Sequence, residues 1–395
     1  MRRSDSERLV VFWAASSWDA PPGSDVHMAT HLAKYATVLF VDPPTSWLRV
    51  PRPRRARPGR VEPVRLGPNL LRLSPGAPPG VSRPVVRETA TWWSRRVVAH
   101  AVRRLGLPVH AVVVASLDHR FGVCDEERRV LYATDDYLSA ADLMGLSARW
   151  VHHRARAQAA AATQVVAVSE PVAATWREFG LTVATIPNGC DAEAFAAPAT
   201  PADDIGLPGP VAVVVGQLSE RIDLAYLEAT AATGVSVLLI GPLLASLRGP
   251  RLDALLARDN VNWIGSRPFA ELPRYLASAT VGLTPYADTP FNRASFPLKT
   301  LEYLAAGIPA VATDLPGVRA LGTNLVAVAE SPREFAEAVS RTLTDRDDPT
   351  LRTVRRAFAS AHDWRLRAKD FAREIGLDSG GPEPAVPSPP VSVAE

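Results

Sequence analysis

Short apolar runs recur along this chain, each closed by small or polar residues and followed by a stretch of helical spacing. In the first half they are Leu9–Trp13, Thr37–Val41, Leu70–Leu73, Val109–Ala115, Val130–Thr134, Val165–Ser169 and Val183–Pro187. The second half has Val211–Val215, Val235–Ile240, Val261–Ile264, Thr280–Thr284, Ile308–Thr313 and Val326–Ala329. A run apolar at nearly every position is a strand buried on both faces, as in a parallel sheet covered by helices. The expected class is therefore α/β, with doubly wound parallel sheets whose ligands sit outside the carboxyl ends of the strands. With 395 residues and 47% apolar content, the chain can bury two separate cores. The break falls at 196–210, where prolines and small residues interrupt the alternation, leaving a first domain over 1–195 and a second over 211–360. Residues 378–395, rich in Pro, Ser and Gly, read as a disordered tail.

Net charge is only +3, but Arg49, Arg52, Arg54, Arg55, Arg57 and Arg60 crowd one Pro-rich loop. That loop is either a contact for an anionic membrane surface or a phosphorylated acceptor, or a solvated segment. No aromatic platform or groove-reading element accompanies it, so no nucleic-acid partner is expected. Two cysteines, Cys124 and Cys190, offer neither a disulfide framework nor a metal pair, which fits a reducing compartment such as the cytoplasm. The start MRRSDSERLVVFW leads directly into a strand, and no apolar run reaches the ~20 residues that span a bilayer, so any membrane contact is expected to be peripheral, at the inner face.

Helix signals, a buried strand and charged groups coincide between Asn292 and Asp314. Ser295 is placed to cap a helix, Pro297 sits where a missing N–H is tolerated, and Gly307 ends the helix before the next strand. Lys299 and Glu302, three apart, share a side of that helix away from the core stripe of Leu298, Leu301 and Ala305. The first-turn N–H groups, the helix dipole and Lys299 suit a phosphate, and Glu302 can accept from a vicinal diol such as a ribose. The competing reading is a solvated ion pair. Of 44 Lys+Arg only three are Lys, at 34, 299 and 369, so a Lys in this turn departs from the chain's own habit.

The run P-L-K-T-L-E-Y-L-A-A-G-I-P-A-V-A-T-D resembles the donor-site segment of nucleotide-sugar glycosyltransferases of the GT-B fold, especially the bacterial branch similar to teichuronic acid biosynthesis enzymes. Trp18, Asp19, Pro22, His27, His31 and VLFVDPP resemble the start of that branch, and VVAVSEPVAATWREFG and TIPNGCDAEAF resemble later parts of its first domain. Residues 361–377 resemble the terminal helix that crosses back to the first domain. The resemblance implies that Glu302 binds the donor ribose and that the segment Ser295, Phe296, Pro297, Leu298 and Lys299 faces the diphosphate. It also places Arg221, after Gly216, against the diphosphate, and Arg267 and Pro268 beside the base. Two positions depart from the pattern. Ile222 stands where many relatives have glycine, and Ala294 stands where retaining relatives carry the first of two glutamates, leaving Asn292 or Asp288 as substitutes.

Each of these positions also has a plainer reading. Arg221 can pair with Glu220 or Asp223, and Arg267 can be solvated rather than stacked on a base. After Val130–Thr134 come Asp135 and Asp136, one of which is expected to orient or deprotonate an acceptor hydroxyl while a turn cap is the alternative. Asp19, His27 and His119 are the acceptor-side candidates. The expected activity is transfer of a sugar from a nucleoside-diphosphate sugar to an acceptor hydroxyl, with Asp135, Asp136, Arg221 and Lys299 as catalytic candidates. It is expected to be metal-independent, free of any cofactor and retaining. Alternatives are a sugar-nucleotide epimerase of the same fold and a binding or scaffold protein.

Overall fold

The computed structural model describes residues 8–46, 62–80, 84–118, 120–143, 145–343 and 348–377. His119, the Arg-rich loop and the tail from 378 lie outside these. Sixteen strands occur among the described residues: β1 Leu9–Trp13, β2 Thr37–Val41, β3 Thr45–Ser46, β4 Val64–Gly67, β5 Leu70–Leu73, β6 Gly76–Ala77, β7 Val109–Val114, β8 Arg128–Ala133, β9 Gln164–Ala167, β10 Val183–Thr185, β11 Val211–Val215, β12 Ser236–Ile240, β13 Val261–Trp263, β14 Val281–Thr284, β15 Ala310–Thr313 and β16 Val326–Ala329.

They form two large sheets, β10-β9-β8-β7-β1-β2-β5-β4 and β13-β12-β11-β14-β15-β16, and a small pair β3-β6. The central strands are fully buried, β1 and β11 at every position, because apolar residues occupy both faces. Only β4 departs from the parallel expectation. It pairs antiparallel with β5 at the sheet edge, and its exposed Val64, Arg65 and Leu66 carry no buried run from which a strand could be read.

Each sheet winds outward from its first strand in both directions, so the strand order reverses between β1 and β7 in one and between β11 and β14 in the other. Helices diverge at such a reversal and leave a crevice at the carboxyl ends of the strands. The two crevices are where sites are to be sought.

The chain crosses between the domains beside Gly189. Cys190 N–H donates to His362 O at 3.0 Å, and Trp364 N–H donates to Cys190 O at 3.1 Å. A Cβ at Gly189 would lie 2.7 Å from the Trp364 backbone nitrogen, so the two segments meet only because residue 189 has no side chain. Helix Trp364–Glu374 then buries Trp364, Ala368, Phe371 and Ala372 against Val10, Phe12 and Tyr132 of the first domain. The 196–210 segment is no free spacer. Ala202 is buried in the second core, and Asp204 accepts from Tyr275 Oη at 2.9 Å.

Candidate functional site

In the second domain the site begins with two glycines at adjacent strand ends. Gly216 follows β11 with φ 140° and Gly241 follows β12 with φ 146°, and a Cβ on Gly241 would lie 1.8 Å from Gly216 O. Their bare backbones leave room opposite, where Lys299 Cε comes within 3.8 Å of the place a Gly216 side chain would start. Lys299 stands in the first turn of helix Leu298–Ala306, which ends at Gly307 in the left-handed conformation (φ 86°). Tyr303 ties this helix to the strand reversal. Its hydroxyl accepts from Val215 N–H at 3.0 Å and donates to Leu283 O at 3.2 Å, and Gly282 gives its ring space. Sequence reasoning missed Tyr303, whose only signal was a polar atom in an otherwise apolar stripe.

Lys299 and Glu302 do pair, at 2.8 and 3.0 Å, yet not on a solvated face, since Glu302 is only 4% exposed. A ligand approaching Lys299 therefore competes with a buried carboxylate. Ser295 does not cap the helix. Pro297 (φ −82°, ψ 62°) delays the helix start to Leu298, and Ser295 Oγ instead donates to Phe291 O at 2.9 Å and accepts from Arg221 Nη2 at 3.2 Å. Phe296 and Leu298 pack partly into the second core, leaving backbone rather than side chain at the helix start.

Arg221 pairs with neither Glu220 nor Asp223. Asp223 caps helix Leu224–Ala232, and Glu220 meets Ser246. Arg221 Nε donates to Asn292 Oδ1 at 2.9 Å, and the guanidinium lies over the rings of Tyr286 and Phe291 at 5.2 and 4.7 Å. Asn292 is fully buried, and its amide donates to Arg221 O and Ala287 O, so it orients Arg221 and presents no donor to a sugar. Asp288, bound to Arg293 in solvent, is no substitute either. Ala294 packs into the first-domain core, where its carbonyl accepts from Ser169 Oγ at 2.6 Å. A carboxylate at 294 would thus be buried in a domain contact. Ile222 is buried beside β14 rather than facing the cleft.

Arg267 is committed elsewhere: Nε to Tyr275 Oη at 2.6 Å and Nη2 to Asp204 at 3.2 Å, fastening the interdomain segment. Its N–H edge is thus taken, while Pro268 is exposed at the start of a short turn.

From the first domain, Asp135 faces this group. Burial pushes its carboxyl up to about 6, against the pull of Arg221 across the cleft and a hydrogen bond from Thr134. Asp136 is a turn cap, accepting from Leu138 N–H and Ser139 N–H at 3.2 Å. Asp19 forms a two-bonded ion pair with Arg72, which also reaches Asp42, and so fastens the first loop in solvent. His27 stacks on Trp364 at 5.4 Å and meets Phe269 of the second domain edge-on at 5.7 Å. Burial lowers its pKa to about 4, against the pull of Asp191, so it is a neutral packing group between the domains.

Residues 209–345, the part holding Arg221, Lys299 and Glu302, match the family profile of the group 1 glycosyl transferases. This part of the chain carries the profile of a group 1 glycosyl transferase domain. The curated relative TuaH of Bacillus subtilis (strain 168), a putative teichuronic acid biosynthesis glycosyltransferase, is 30% identical over 203 residues, 49% of this chain and 51% of that protein. The match thus spans about half of the relative's length. Among solved structures, sucrose-phosphate synthase from Thermosynechococcus elongatus superposes with a TM-score of 0.68 at 16% identity, over 93% of this chain and 98% of that one. HepE of Anabaena, solved with UDP and glucose, gives 0.64 at 16% identity, over 94% and 99%. A trehalose-phosphate synthase from Burkholderia xenovorans, solved with glucose-6-phosphate, gives 0.65 at 14%, over 93% and 99%. At these identities the likeness establishes the fold: the group 1 domain and the half before it make a GT-B architecture. Among the described residues, no helix is long and apolar enough to cross a membrane.

Proposed function

We propose that the chain transfers a sugar from a nucleoside-diphosphate sugar to a hydroxyl of an acceptor held by the first domain. The observation carrying this reading is the convergence of Arg221, fixed by Asn292 and Ser295, with Lys299 at a helix start and with Asp135 from the other domain. Breaking a glycosyl–diphosphate bond leaves extra negative charge on the departing phosphate. Cations fixed before the reaction stabilise that charge without reorganising, and the first-turn N–H groups add to them, so the step needs no metal. Glu302, a turn deeper, takes the ribose diol once Lys299 turns to phosphate. The name of the TuaH relative and the UDP held by HepE agree with this substrate class.

The transfer is proposed to be retaining, with Asp135, whose carboxyl feels the charge of Arg221, holding the acceptor hydroxyl on the side the diphosphate leaves. The acceptor proton then passes to the leaving phosphate. Ala294 removes a sugar contact common in such enzymes and favours two rivals, an epimerase and a protein that binds donor without turnover.

A thermal-shift screen of nucleoside diphosphates on the whole chain tests the donor site, with stabilisation by at least one expected; no shift with any of them ends the reading. Donor incubated alone stays unchanged if the enzyme is a transferase and is isomerised if it is an epimerase.

A further inference from the structure

Helix Pro290–Ala294 is too short to stand alone, so its two ends are tied from outside it. At its start Thr289 Oγ1 accepts from Asn292 N–H at 3.2 Å. At its end the last carbonyls have no partner within the helix, and Ala294 O takes the Ser169 hydroxyl of the first domain at 2.6 Å. The direction of that bond is settled by the other side of the same oxygen. Ser169 Oγ accepts from Val172 N–H at 3.4 Å as the N-cap of helix Glu170–Arg177, and a hydroxyl has a single hydrogen to give. That hydrogen goes to the other domain.

The bond acts on a rigid unit. The peptide group joining Ala294 to Ser295 is planar, so holding its carbonyl also holds its N–H, which donates to Asn292 O at 3.2 Å. Asn292 and Ser295 are the same two residues that accept from Arg221, at 2.9 and 3.2 Å. From the opposite side Gly317 abuts this peptide. A Cβ on Gly317 would lie 2.4 Å from Ser295 O. Residues 292–295 are therefore gripped between a first-domain helix start and a second-domain turn, with the Ala294 methyl buried on the first-domain side.

Arg221 has little else to fix it. The rings of Tyr286 and Phe291 set the height of the guanidinium, but a ring face allows it to slide, so its position in the plane is set by the two hydrogen bonds. Both acceptors are neutral, which leaves the full charge for a ligand.

We propose that Ser169 is a positioning residue for the transfer: by holding the peptide group between Ala294 and Ser295 from the first domain, it sets Asn292 and Ser295 and, through them, the guanidinium of Arg221. The grip on diphosphate in one domain then depends on the seating of the other. What Arg221 grips rests on the glycosyl-transfer reading, whereas the hold of Ser169 on 292–295 does not.

Titration calorimetry of the full chain with ADP, GDP and UDP, together with hydrogen exchange of its backbone amides, tests this. Ser169→Asp keeps the cap of helix Glu170–Arg177, since aspartate caps as well as serine, but sets an acceptor against Ala294 O. Ser169→Thr keeps both cap and donor. Ser169→Asp is expected to weaken the best-bound nucleotide about five- to tenfold, and Ser169→Thr to stay within about twofold of the wild type. Arg221→Ala weakens binding too, and adding Ser169→Asp to it costs nothing further, because a residue acting through Arg221 has no effect once Arg221 is gone. Fully additive losses, or unaltered binding in Ser169→Asp, overturn the proposal. Exchange at 292–295 should be faster in Ser169→Asp, and it is read without nucleotide. If none of the three nucleotides binds the wild type, the donor reading falls, while faster exchange in the variant still supports the hold by Ser169 and unchanged exchange overturns it.

Discussion

The two strand reversals solve the same geometric problem with different material. In the second domain the crevice between β11 and β14 is lined by two short stretches, 216–221 and 292–303, with cations set on a helix start and beside glycine turns. In the first, the crevice between β1 and β7 is walled by residues from Trp13 to Trp150, with Arg120 over the Trp13 ring and Arg87 over the Trp150 ring. The first design suits a ligand whose charge rises during reaction. A helix start directs fixed dipoles at one point, whereas arginines on aromatic rings define a slot. The contrast predicts that changes at the second-domain reversal act on the rate of transfer, whereas changes at the first leave that rate less affected.

The largest effect should come from Arg221. Arg221→Ala removes a preorganised cation from the leaving group and should lower kcat by ~10²–10³ with little change in acceptor KM. A variant that alters acceptor KM alone would erase the distinction between the two crevices. Asp135→Asn comes next, costing about 10- to 100-fold in kcat/KM, as expected for a hydrogen bond to a charged group. Because the carboxyl is raised to about 6, the wild type should lose kcat/KM as pH falls through that value, when the anion is protonated, and Asp135→Asn should lack that acid limb. An acid limb that persists in the variant would assign it to another group. The smallest effect of the three is expected for Glu302→Ala, which should weaken nucleoside diphosphate by about tenfold. Inorganic diphosphate should bind this variant at least as well, since Lys299 is released from its buried partner. Parallel loss of both ligands would remove the ribose role.

Much of this was readable from local sequence. The apolar runs announced the parallel sheets because a strand buried on both faces needs no polar alternation, and β4 escaped notice because its exposed residues form no such run. Gly307, a helix end, and Lys299, an exception among arginines, pointed to the donor-side helix for reasons contained in a few consecutive residues. The errors fell where a side chain had two possible partners. Ser295 looked like a cap and supports Arg221, and Arg267 looked free and fastens Asp204.

Sequence by itself determined the layered α/β architecture, the crevices at its strand ends and the placing of a lysine at one helix start, since each depends on spacing within a single element. Only the tertiary structure decided which of two adjacent aspartates is spent on a turn, what fills position 294, and that Trp13, Arg87, Arg120 and Trp150 share a cavity. Those outcomes depend on contacts between elements far apart in the chain, where the energy of a polar group is set by its partner and its burial rather than by its neighbours in sequence.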